Sequence, residues 1–259
     1  MIAIQKDFEA IPKIMFYKPR REAFEQNKAA GKYCSSDNLY KPQKVKLALD
    51  KIYHRKCAYC EKTLKDVDRH VEHYRPKVPY FWLAFSWDNL LIACKKCNEI
   101  KSNQFIAYLE GKQLHYNNET LKTAQSQIEA YNAVELPLIL NPEQETTESL
   151  KAHFTFNLQT AEIIAKTKQM KATIKVCQLN RQELVELRID ELIKLKNHLR
   201  QDLNYYKESH QKKERSKALK NTLLKFKNDI VPEVSFKAWR TFILDNWKEL
   251  LKDINNTQK

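Results

Sequence analysis

Four cysteines fall in two tight pairs, Cys57 and Cys60 in CAYC and Cys94 and Cys97 in CKKC, with 33 residues between the pairs. Thiolates offered two at a time on adjacent turns match the tetrahedral, sulfur-rich coordination of zinc. A redox dithiol calls for one such pair inside a βαβ pattern, and no such pattern surrounds either pair. Four cysteine ligands leave no open coordination position, so this zinc is expected to staple the fold rather than to catalyse. What it staples is chemically pointed: VEHYRPK at 71–77, WDNL at 87–90 and CNEIK at 97–101 lie between or just after the pairs.

Glu72 and His73 put a carboxylate and an imidazole side by side. Imidazole titrates near neutrality and can take a proton from water, while a hard cation such as Mg2+ or Mn2+ wants oxygen donors. Asn98, directly after the second cysteine pair, adds an amide oxygen. Asn98 and Lys101 stand three residues apart, on one face of an expected helix, from which Lys101 is expected to reach a phosphate as a point charge. A base, a cation site and a phosphate-directed lysine are the parts that phosphodiester hydrolysis requires.

The elements that must position these groups follow from periodicity. Residues 43–56 place Val45, Ala48, Leu49, Ile52 and Tyr53 on one helical face. Residues 66–73 alternate as a short strand, closed by Pro76 and Pro79. The aromatic run from Tyr80 to Trp87 is expected in the core, since the loop between the cysteine pairs must pack if the zinc is to hold it. NEIKSNQFIAYLEGK, from Asn98, predicts a helix ended by Gly111. Beyond it, 153–166 reads as a hairpin turning at NLQTA, and from Asn180 the chain is helical nearly to its end, with a break near Pro232. Leu184, Leu187, Ile189, Leu192, Ile193, Leu195 and Leu199 give that region an apolar stripe. Cys34 and Cys177 have no partner at ligand spacing and are expected as core thiols; His54 and His115 lie outside the motif.

The order CAYC, VEHYRP, DNL, then CKKCN with a lysine three residues on, resembles the HNH (ββα-metal) nuclease family with zinc knuckles. That resemblance implies an α+β, mostly helical chain: a small ββα-metal core stapled by a four-cysteine zinc, with a helical C-terminal region. It implies His73 as general base, Glu72 and Asn98 as ligands of a catalytic Mg2+ or Mn2+, and Asn89 as the residue that holds the hairpin loop and orients the His73 backbone. His70, Arg75 and Lys77 are the expected nucleic-acid contacts. Glu72 stands where Asp is usual and Asn98 where His is usual, and both still present oxygen to the cation. More of the chain, including LILNPE at 138–143, HFTFN at 153–157 and QLNRQELVELR at 178–188, resembles the HNH nuclease subunits of Septu-type bacterial anti-phage systems, including retron-associated ones. Those relatives imply a separate ABC-type ATPase as partner.

The expected division is 1–42 as an N-terminal segment, 43–111 as the nuclease core, 112–179 as a connecting segment with the hairpin, and 180–259 as the helical region. The formal charge of +14 is uneven. Lys and Arg outnumber Asp and Glu by 21 to 13 over residues 1–110, balance 7 to 7 over 111–180, and lead 18 to 12 over 181–259. Such a surplus suits a nucleic-acid partner, and the basic outer face of the C-terminal helices is where nucleic acid or the ATPase is expected to dock. For the nuclease reading DNA is the favoured substrate and RNA the other, a choice that charge and motif do not make. Only Gly31 and Gly111 occur, so no glycine-rich loop cradles a nucleotide. The N-terminus carries charge where a secretory leader needs an apolar stretch, and no apolar run is long enough to span a bilayer, so a cytoplasmic protein is expected. The alternative function is a catalytically silent zinc module that binds nucleic acid or a protein; the Glu72–His73 pair with Asn98 is what such a module would not need.

Overall fold

Helix α1, Lys18–Ala30, begins with Pro19 in its first turn and ends at Gly31, whose φ of 61° is the left-handed conformation that closes helices. Its spacing buries Arg20, Ala23, Phe24 and Asn27. Residues 1–7, 11–34, 39–106, 114, 125–205 and 212–256 of the computed structural model are described here. The architecture is α+β and mostly helical, with two small two-stranded sheets among the described residues.

Helix α2, Gln43–Ile52, buries Val45 and Leu49 as the periodicity requires. Strand β1, Arg69–His73, is shorter than the sequence suggests, because Asp66–Asp68 form a 3-10 turn. It runs antiparallel to β2, Leu90–Cys94, in a register that sets Arg69 opposite Cys94 and His73 opposite Leu90. All five residues of β2 are buried, which is why LLIAC reads as an unbroken apolar run. The loop between the strands packs Phe81, Trp82, Leu83, Phe85 and Trp87 inside, as expected of the aromatic run.

Helix α3, Lys95–Lys101, corrects the expected helix from Asn98 to Gly111. It starts at once after β2, with Cys94 as its cap, and stops where Ser102 turns to a φ of 46°. Gly111 and His115 lie outside the described residues. Then come α4 (Gln125–Glu135), α5 (Thr147–His153), the hairpin of β3 (Phe154–Phe156) and β4 (Ile163–Ala165), and α6 (Lys168–Cys177). Asn157 builds the hairpin turn, its side-chain oxygen accepting from the amides of Gln159 at 2.8 Å and Thr160 at 3.0 Å. The C-terminal helices are α7 (Gln182–Tyr205), α8 (Lys212–Asn228), α9 (Lys237–Asp245) and α10 (Trp247–Asn256).

Contacts group the chain into two compact units: Met1–Phe154 with Ala165–Leu179, and Thr155–Ile164 with Asn180–Lys259. In the first, the N-terminal segment is part of the core. Lys6 donates to the Trp87 and Leu90 carbonyls at 2.5 and 2.7 Å and lies 3.1 Å from Glu143. In the second, the inward stripe of α7 is Leu184, Arg188, Leu192, Leu195, Leu199 and Leu203, whereas Ile193 is exposed. Arg188 takes a core position because its Nε donates to the Ala161 carbonyl at 2.7 Å. No helix among the described residues is long and apolar enough to cross a membrane.

Candidate active site and metal centre

The sulfurs of Cys57, Cys60, Cys94 and Cys97 lie within 4.8 Å of one another and are buried. Zn–S bonds of about 2.3 Å at tetrahedral angles set sulfurs about 3.8 Å apart, and Cys60 and Cys94 are 3.9 Å apart, so the cluster fits the ion. The first knuckle is tied to β2 by the Ala58 amide, which donates to the Ile92 carbonyl at 2.9 Å. His54, Arg55 and Glu61 around it all take left-handed φ values without being glycine, a strain of about 1–3 kcal/mol each that persists only where the surroundings fix the chain. In the second knuckle, Cys94 Sγ accepts from the Cys97 amide at the start of α3, and hydrogen bonds from the other three cysteines hold the Cys94 thiol far below its ordinary pKa. Of the remaining cysteines, Cys177 is buried as expected; Cys34 is exposed and corrects that expectation, because the turn after α1 leaves it at the surface.

The zinc knuckle, β1 and α3 converge on Glu72. Its Oε2 accepts from Asn98 Nδ2 at 2.6 Å, and its Oε1 lies 2.7 Å from Lys101 Nζ. Burial raises the Glu72 pKa, with the Lys101 ammonium pulling the other way. Lys101 is itself fully buried and also donates to the His73 carbonyl at 2.8 Å. The expected reach of Lys101 toward a phosphate is therefore corrected: its helical spacing from Asn98 is right, but its long stem runs inward. Asn98 is half-buried, and since its Nδ2 is held by Glu72, its Oδ1 is left as an acceptor.

His73 closes β1, buried, with its Nε2 2.9 Å from the Ala84 carbonyl. A carbonyl can only accept, so this nitrogen carries the proton and the lone pair of the neutral ring is on Nδ1. Burial pushes the His73 pKa down to about 3, so the ring is neutral at physiological pH. The Tyr40 ring meets it edge-on with centroids 4.5 Å apart. Asn89 holds the following loop from inside. Its Oδ1 accepts from the Arg75 amide at 2.8 Å, its Nδ2 donates to the Arg75 and Leu83 carbonyls, and its own carbonyl accepts from the Tyr74 amide.

Of the expected nucleic-acid contacts, Arg75 is corrected. It is buried, with Nε 2.7 Å from Glu135 and Nη2 2.8 Å from Asn132 Oδ1, so its charge is spent inside the fold. Lys77 is half-buried, 3.0 Å from the Tyr40 hydroxyl and over the Tyr33 and Tyr40 rings. His70 is half-buried on β1, held below its ordinary pKa by burial and by Lys46 and Lys41. Sequence reasoning missed Tyr40, the Ala84 carbonyl and Glu135. Only Tyr40 offered a signal, as an aromatic beside the Pro42 that starts α2; a backbone carbonyl and a distant glutamate offer none.

Residues 57–104, the span that contains both knuckles, Glu72, His73, Asn89 and Asn98, match the HNH endonuclease family. Septu protein PtuB of Bacillus mycoides (strain KBAB4) is 28% identical over 285 residues, covering 98% of this chain and 87% of that protein. Septu protein PtuB of Bacillus thuringiensis is 36% identical over 90 residues, 34% of this chain and 33% of the relative. Septu protein PtuA of Bacillus mycoides (strain KBAB4) is 27% identical over 153 residues, 54% of this chain but 20% of PtuA. The family match falls on the buried Glu72–His73 pair and the cysteine cluster, and the PtuB likeness runs nearly end to end: the chain carries, at residues 57–104, the HNH endonuclease domain of a nuclease and is similar over nearly its whole length to the PtuB protein of a Septu system.

Proposed function

We propose that the chain hydrolyses phosphodiester bonds in nucleic acid, DNA in preference to RNA, with His73 as general base, as the nuclease effector of a Septu-type anti-phage system. The observation that carries this is the state of His73: neutral, its Nε2 proton committed to the Ala84 carbonyl, its Nδ1 left to accept a proton. A base fixed in this tautomer takes a proton from water without first losing one. Lys101 holds the His73 carbonyl and Asn89 pins the next residues, so the backbone that carries the imidazole is held on its C-terminal side. The oxygens of Glu72 and Asn98 are the hard donors that suit Mg2+ or Mn2+, and Asn98 Oδ1 is free of the bond its amide makes. The cation, when bound there, supplies charge neutralisation at the scissile phosphate. Likeness to PtuB, and of half the chain to a stretch of PtuA, supports a role beside a separate ATPase subunit.

The test is cleavage of plasmid, linear DNA and total RNA with Mg2+ or Mn2+, with and without the neighbouring ATPase, for wild type and His73→Ala. Loss of a general base lowers the rate by about 10^2–10^4-fold, with zinc content unchanged. Equal behaviour of the two proteins under every condition would leave a zinc-stapled binding module as the better account.

A further inference from the structure

Helix α8, Lys212–Asn228, carries an unusual face. Between Lys213 and Asn228 it holds six basic residues, Lys213, Arg215, Lys217, Lys220, Lys225 and Lys227, against the one acid Glu214. Lys213, Lys217, Lys220, Leu224 and Lys227 recur at helical spacing and are all exposed, so four ammonium groups line one side over about 21 Å of helix. Glu214 lies about 100° around the helix from that line. Among the described residues none of the four lysines is in an ion pair. The other side of the helix is the one that packs: Thr222 donates to Asp202 at 2.6 Å, the Arg240 guanidinium lies over the Phe226 ring at 5.4 Å, and Leu219 and Leu223 are half-buried.

We infer that this lysine line is a sequence-independent docking face for the phosphate backbone of nucleic acid; the inference rests on the nuclease reading for its choice of ligand. Charge complementarity carries it. A protein interface has an apolar, charge-depleted centre in which lysine is scarce, and here the only large apolar side chain on the line is Leu224, 54% exposed. Lysines act as point charges, which suits holding a backbone in register rather than reading bases. The face belongs to the second compact unit, which contains none of the His73 machinery. Substrate capture and bond cleavage are thereby assigned to different units.

The experiment measures binding of a labelled mixed-sequence duplex and a labelled single strand across a salt series, in the full chain carrying His73→Ala so that nothing is cut. Replacing Lys213, Lys217, Lys220 and Lys227 together by Gln keeps helix-forming residues and removes four cations. The slope of log K against log salt is expected to flatten by about 3.6 for duplex or about 2.8 for single strand, with affinity down more than about tenfold. Leu224→Lys adds a cation in the same line, so its slope should steepen by about 0.9, a gain that misfolding cannot imitate. Unchanged slopes in both variants overturn the inference, as does loss of a co-purifying protein with nucleic-acid binding intact. Because binding is read apart from cutting, failure here leaves the His73 test standing, and failure of that test leaves this one readable.

Discussion

Lys101 Nζ stands 2.7 Å from Glu72 Oε1, both groups buried, so the carboxylate proposed to hold a catalytic cation already has a cation of the protein's own beside it. A buried charge stripped of its partner costs about 3–5 kcal/mol. Lys101→Met should therefore destabilise the zinc-loaded protein, free of Mg2+ and Mn2+, by about that amount in urea unfolding, and added Mn2+ should restore part of it, since the ion becomes the cation beside Glu72 in place of Lys101. A variant whose unfolding midpoint ignores Mn2+ would remove Glu72 from the ligand set.

The Arg75–Glu135 pair makes a second, separable case. Glu135 also accepts from the Tyr80 hydroxyl at 2.6 Å, so it braces the loop after His73 at two points. Glu135→Ala leaves the Arg75 guanidinium buried and unpaired and should cost about 3–5 kcal/mol. Glu135→Gln, which still accepts hydrogen bonds, should cost less and lower kcat more than KM; equal stability losses in the two variants would show that the charge alone, and not the hydrogen bonds, is what Arg75 depends on.

Stability should fall with rising pH through a window set by Asp88. Burial pushes its pKa up to about 7, against the pull of Lys6, while an unfolded Asp titrates near about 3.9. Below both values the two states are equally protonated. Between them only the folded state holds the proton, so unfolding releases it and stability drops as pH rises; above about 7 the full cost, about 4 kcal/mol, is in place. Asp88→Asn should thus gain on wild type in urea midpoint from pH 5 to pH 8. Parallel midpoints would place the titration elsewhere.

Zinc removal should undo the first unit rather than merely silence it. Structural zinc contributes about 10–16 kcal/mol in small metal-stapled peptides, as much as or more than the whole stability of a typical domain. Cys97→Ser should lower zinc content and abolish the cooperative transition together. A zinc-free protein with an unchanged transition would contradict a stapling role.

The site was legible in sequence wherever its chemistry is local. The C-x2-C pairs, Glu72 beside His73, and Asn98 just past a knuckle each advertise themselves through spacing that a tetrahedral ion or a strand end imposes. What failed was inference about direction. Arg75 and Lys101 carry charge and so looked outward, yet each found a buried carboxylate, and Glu135 lies too far along the chain from Arg75 to be paired with it by any local rule. The helix that holds Cys97 ends earlier than its pattern suggests for a related reason: Ser102 accepts a backbone conformation normally left to glycine, so the terminator carries no signature. In the fold, the hairpin at NLQTA and the helices after Asn180 follow their patterns, while the burial of Arg188 in the leucine stripe does not.

Cys94 ends β2, caps α3 and belongs to the sulfur cluster, so strand, helix and staple share one residue. There is consequently no slack between the sheet and the helix that brings Asn98 and Lys101 to Glu72. A single residue inserted between Cys94 and Asn98 would rotate both by about 100° and carry them off the carboxylate, whichever residue it was. At the exposed Lys95, Lys96 and Glu99, spacing is under tighter constraint than identity: substitutions there can be borne one at a time, but a change of length cannot.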